Sequence, residues 1–207
     1  MLYLSPILLC ISLNILLLTV TSSLKTQKIS LNKSTIISIS VFLTLITFIS
    51  MEFGKFINLY LLKYYSNRFG GVLLSFIGIY YLVEHRKKVE YRNGYDTSFY
   101  YKTFPKYRRY FFSPKLIDNN NSKCIEINES LYISLPLSLC TLYMFFAAGI
   151  TLVNIPFTLF LMFVSTSCML CINYFNKSYA LNNFLNENCL LIVSIILIAD
   201  GILEILI

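Results

Sequence analysis

Tryptophan is missing from this chain, and alanine, usually among the commonest residues, occurs only at positions 147, 148, 180 and 199. Charge is scarce as well. Charged residues make up 13% of the sequence, against about a quarter in a typical soluble domain. None lies between Ser130 and Asn176, a stretch more than twice the ~20 residues that cross a bilayer as a helix. A water-soluble globular domain is thereby excluded. There is a single histidine, His85, so this chain alone cannot supply a pair of axial haem ligands. It falls in "VEHRKK" at a membrane edge and reads as an interfacial polar residue. No P-loop, dinucleotide fingerprint or zinc-ligand spacing is present. The chain is expected to hold no metal, redox centre or other cofactor of its own.

Apolar residues make up 57% of the chain, and Phe, Tyr, Ile, Asn and Lys abound. The favoured residues have AT-rich codons and the avoided ones GC-rich codons. Such a skew suits a small AT-rich genome, often an organellar one. Five of the six cysteines lie in or at the edge of apolar segments, which is not the pattern of a secreted disulfide framework. Cys168 and Cys171 form a CxxC inside an uncharged run and read as small buried residues at helical spacing. The N-terminal apolar run, Leu2 to Leu24, has no Lys or Arg before it. It is expected to be a retained first span rather than a cleaved leader.

The expected architecture is an all-α, polytopic transmembrane helix bundle with about six spans. Residues 1–83 form a three-helix membrane part, 84–129 a basic, Tyr-rich loop, and 130–207 a second three-helix membrane part. Within the first part the boundaries can be drawn in two ways. Helix two covers 34–51 with a long third helix at 56–83, or it covers 34–62 with a short third helix at 69–83. The first choice leaves Lys63 and Arg68 at membrane depth. The second leaves Glu52 and Lys55 there, at a spacing that lets them pair. In the last part, Asn154 and Pro156 of "VNIPF" supply a turn between helices near 131–152 and 155–175, and the final helix falls near 189–207.

The links 25–33 and 84–129 are the most basic, and two crossings separate them. Both are expected on the inner, positively flanked side, with the N-terminus opposite. The aromatic and basic stretch "FYYKTFPKYRRYFF" then reads as a membrane-facing loop with its rings at headgroup level, and nucleic acid is not an expected partner. The sequons at Asn32, Asn128 and Asn176 fall on that inner side and are not expected to carry glycans.

Acidic residues within apolar helices are costly unless paired or turned inward, and so are functional by default. Three qualify as proton-path residues: Glu52, Asp200 and Glu204. Asp200 and Glu204 share one helix face at i,i+4. Gly70 and Gly71 open the third apolar run, where alanine would favour helix. Glycine in a helix costs roughly 0.5–1 kcal/mol relative to alanine. Two uses offset that cost: close approach of another helix, or a π-bulge in which the backbone ladder slips.

"FGGVLLSFIGIYYLV" resembles the third helix of subunit 6 of respiratory complex I, the mitochondrial NADH:ubiquinone oxidoreductase, with Gly70, Gly71, Val72, Phe76 and Ile77 in matching places. "MEFGKFINLYLL" resembles that family's Glu-Phe entry to the same helix, through Glu52 and Phe53. The closing helix after "YALNNF" is similar in position and aliphatic character. About six residues near "KYYSNR" stand as an insertion, and that family usually has five spans. Residues 130–207, three close helices with an acid in the third, resemble subunit 4L of the same complex, with Thr166 where that subunit carries a carboxylate. The resemblance to subunit 6 implies a mitochondrially encoded, multi-pass inner-membrane chain. Its N-terminus would face the intermembrane space and loop 84–129 the matrix. Its partners would be other membrane-arm subunits and lipids. Such a chain couples ubiquinone reduction to proton translocation without being catalytic itself, and Gly70 and Gly71 would mark a convertible π-bulge. The alternative is a structural or accessory membrane subunit of cytochrome oxidase or ATP synthase. A small transporter would show an inverted repeat, and no clear one is visible in the residues.

Overall fold

The protein is described by a computed structural model covering residues 4–26, 29–60, 63–92, 124–175 and 179–206. Among these residues there are six helices: α1 Leu4–Thr26, α2 Lys33–Asn58, α3 Lys63–Arg92, α4 Ile127–Ile150, α5 Ile155–Phe175 and α6 Tyr179–Leu206. Two short strands, β1 Ser30–Leu31 and β2 Cys124–Ile125, complete the described elements. Five of the helices are long and apolar enough to cross a membrane, and α3 is the sixth. The chain is a polytopic transmembrane helix bundle with about six spans, as its charge-free runs require.

Local sequence sets the helix ends. Asn32 caps α2, its side-chain oxygen accepting from the Lys33 N–H at 2.7 Å. A capping box joins Glu126 and Glu129 at the start of α4, satisfying N–H groups that lack an intrahelical acceptor. Asn154 does the same for α5, accepting from Phe157 N–H at 3.2 Å. Between α4 and α5, Leu152 turns the chain with φ of 56°.

The ambiguity around residues 52–69 is resolved by a break late in the segment. α2 runs through Glu52 and Lys55 to Asn58, whose amide donates to the carbonyl of Ile150 on α4. Leu59 and Tyr60 form a turn, and α3 starts at Lys63. α3 also outlasts the apolar run: residues 84–92, expected as loop, continue the helix. Most of the expected basic loop, 93–123, lies outside the described residues. The CxxC expectation is corrected. Cys168 and Cys171 are exposed on α5, because the buried stripe of that helix passes instead through Thr158, Met162, Thr166 and Leu170.

β1 and β2 pair in parallel, Ser30 opposite Cys124 and Leu31 opposite Ile125. The α1–α2 link and the entry to α4 therefore meet at one end of the bundle, as the charge pattern requires. From there α2 and α4 run side by side in the same direction. Ser38 bonds Ser130, and Ser50 donates to the Leu142 carbonyl farther along. Gly54 and Gly149 bring the two backbones together; a Cβ on Gly54 would stand 2.8 Å from the Gly149 Cα.

α3 and α6 run antiparallel in an equally close pair. Gly71 backs onto Gly201, and Gly78 onto Ser194 and Ile198. In a membrane, lipid is as apolar as the helices, so dispersion between closely packed backbones replaces the hydrophobic effect as the main attraction.

Exchanging the first three helices for the last three reproduces this packing. α1 packs on α5 as α4 packs on α2, and α1 on α6 as α4 on α3. Advancing Gly71 and Gly78 by one common offset lands on Ser194 and Gly201, the residues that face them in reverse order. The same offset carries the buried stripe Thr35, Ile39, Leu43, Thr47 of α2 onto the buried stripe of α5. With three crossings in each half, the two halves traverse the membrane in opposite senses. This is the arrangement of an inverted repeat.

Candidate functional site

Most hydroxyls in this bundle are accounted for within their own helices. Ser12, Thr47, Thr141, Thr166 and Ser194, among others, donate to carbonyls three or four residues back. This is how Ser and Thr satisfy themselves in apolar surroundings. Against that background, among the described residues two buried oxygens are left without a partner, Oδ1 of Asn14 on α1 and Oδ1 of Asp200 on α6.

Asp200 is fully buried. α6 presents it inward because Val193, Leu197, Asp200 and Glu204 fall on one face at i,i+4 and i,i+3 spacing. The facing helix is α1, where Ser5 Oγ donates to Asp200 Oδ2 at 3.1 Å. The bond spans 195 residues of sequence and ties the first helix to the last. Glu204, one turn beyond, is buried as well. Gly201 lies between the two acids and is the point where α3 comes closest. The arrangement is a carboxylate with one oxygen held and one unheld, next to a second acid, away from solvent. Groups so placed can take up and pass on a proton.

Glu52 does not join them. It is exposed on α2 and stands with Lys55 on the wall of a cleft of about 490 Å³, whose other lining includes Phe48, Gly149, Leu152, Val153, Asn154 and Leu159. The cleft lies where the end of α2 meets the α4–α5 turn.

Gly70 and Gly71 sit within continuous α-helix, and no π-turn occurs among the described residues. In this structure they allow close approach of two neighbouring helices. A Cβ on Gly70 would meet Thr151 and, at 3.0 Å, the Ala147 carbonyl of α4; one on Gly71 would stand 2.6 Å from the Gly201 carbonyl of α6. Consecutive glycines face two different neighbours because successive helical positions are about 100° apart. The pair lets α3 wedge between α4 and α6.

One feature of the site escaped the sequence. Asp200 and Glu204 were visible as acids in an apolar run, but Ser5 carried no signal, being one of many serines in apolar segments. No metal-binding group of three or more His, Cys, Asp or Glu occurs among the described residues. No family model, curated protein or solved structure matches this chain.

Proposed function

We propose that this chain translocates protons across its membrane and that Asp200 is the carboxylate that carries them. The observation that supports this is the fully buried Asp200, bonded to Ser5 through one oxygen only, with Glu204 one turn away. Leaving such a group in a bundle is expensive unless it works. Ser5 holds one carboxylate oxygen in place while the other exchanges the proton, and Glu204 is the next acid along the helix. The setting is the membrane arm of a respiratory complex I in the mitochondrial inner membrane. There the chain would couple ubiquinone reduction to proton movement without holding a redox centre, its N-terminus toward the intermembrane space. The AT-rich residue usage, the likeness of residues 52–83 to subunit 6, and the meeting of the α1–α2 link with the entry to α4 at one end of the bundle support that setting. Comigration with complex I on a native gel of solubilised membranes, read by mass spectrometry, tests it. Asp200→Asn should then lower proton pumping per NADH oxidised, and unchanged pumping refutes the role of Asp200.

A second reading keeps Asp200 but not the complex. The reciprocal packing of two oppositely inserted halves is the architecture of self-contained secondary transporters. It predicts migration as a small independent species, and proton flux by the purified chain in liposomes.

A further inference from the structure

We infer that the cleft beside Glu52 and Lys55 binds an amino-phospholipid, the headgroup ammonium on Glu52 and the phosphate on Lys55. Depth is the first support. Lys33 and Glu52 bound the uncharged part of α2 and are separated by about 29 Å of helix at ~1.5 Å per residue. That is close to the ~30 Å hydrocarbon thickness of a bilayer. With Lys33 at one boundary, Glu52 reaches the other, and Lys55 lies one turn further out, at the level of phosphates. Phe53, Phe56 and Tyr60 are exposed on the same last turns, and exposed aromatic rings gather at that level.

Charge complementarity is the second support. Glu52 and Lys55 are both exposed and lie one turn apart on one wall of the cleft. The negative member is nearer the hydrocarbon, and the positive one nearer water. A phosphatidylethanolamine headgroup offers a primary ammonium with three N–H donors beside a phosphate diester, matching the two in kind; because the phosphate is the group attached to the glycerol, the ethanolamine arm has to bend inward to reach Glu52. Its ammonium can fold back toward the carboxylate and donate to it. The quaternary ammonium of phosphatidylcholine has no N–H to donate, and phosphatidylglycerol has no cation at all.

Shape is the third support. Phe48, one turn deeper on α2, and Leu159 on α5 supply apolar lining suited to the glycerol and first methylenes of an acyl chain, with Leu152 and Val153 of the turn adding to it. The absence of a side chain on Gly149 lets α2 and α4 close the inner wall, while the left-handed turn at Leu152 carries the chain over the top.

The test is native mass spectrometry of the purified full chain, released from micelles doped with phosphatidylethanolamine, phosphatidylcholine or phosphatidylglycerol of identical acyl chains. Wild-type protein should retain phosphatidylethanolamine over the other two by about tenfold, the value of one charge-assisted hydrogen bond. Glu52→Gln should erase the preference over phosphatidylcholine, and Lys55→Gln should weaken retention of all three. Asp200→Asn should leave the preference intact, which keeps this site separate from the proton site. Equal retention of the three lipids by wild-type protein, or a preference that survives Glu52→Gln, overturns the inference.

Discussion

Placing a methyl group on Gly201 probes the packing on which both the bundle and its acidic site depend. A Cβ there would stand 2.6 Å from the Gly71 carbonyl oxygen and 2.7 Å from the Ser75 amide nitrogen, and would collide with the Ser75 hydroxyl. The hydroxyl can rotate away. The backbone atoms cannot, so α3 and α6 must separate. Alanine gains about 0.5–1 kcal/mol over glycine in a helix interior. Overpacking a tight contact costs about 1–3 kcal/mol. The clash wins, and Gly201→Ala should lose about 1–2 kcal/mol net. For a chain of this size each kcal/mol moves Tm by roughly 2–4 °C, so the midpoint in detergent should fall by roughly 2–8 °C. Ala199→Leu, on the exposed face of the same helix, should leave the midpoint in place. Gly71→Ala should act like Gly201→Ala. The double variant should lose less than the two singles together, because helices parted by the first methyl have room for the second. A Gly201→Ala protein as stable as wild type, or more so, would refute the claim that these glycines exist for close approach.

Other outcomes follow from the same contacts. Ser5→Ala removes the hydroxyl that donates to Asp200, and should slow proton transfer less than Asp200→Asn while leaving assembly intact; equal defects would show that Ser5 does more than position. Ser30→Cys, with the other five native cysteines replaced by alanine, should oxidise with Cys124 to an intramolecular disulfide visible after proteolytic cleavage in the 93–123 region, since positions 30 and 124 are directly paired; failure to cross-link would place the two basic links apart. Gly54→Leu should disrupt α2 against α4 and abolish expression of folded protein, whereas Phe53→Leu, exposed next to it, should be tolerated in a fluorescence-detected chromatography screen.

The spans were legible because their cause is coarse: a bilayer core excludes charge, and charge-free runs mark what crosses it. Turn chemistry at Asn154 and Pro156 placed the α4–α5 hairpin to within a few residues. α3 was harder, since Glu52, Lys55, Lys63 and Arg68 are scattered where two helices meet. The deciding contact, Asn58 to the Ile150 carbonyl, is tertiary. The two-fold likeness of the halves could not be read from residue identities. It pairs Gly71 with Ser194 and Leu43 with Thr166, positions alike in burial and contact but not in chemistry. The question of why Gly70 and Gly71 stand together also needed coordinates, because the two possible uses of glycine give the same letters. Asp200 announced itself as an acid among aliphatics, yet its partner Ser5 lies almost the whole chain away.

The central claim is that Asp200 exchanges a proton inside the bundle, and pH-jump infrared difference spectroscopy on the membrane-embedded chain addresses it without regard to partners. The account predicts a carboxyl C=O band that Asp200→Asn removes and that Ser5→Ala shifts, through loss of its hydrogen bond. A spectrum unchanged by Asp200→Asn would contradict it.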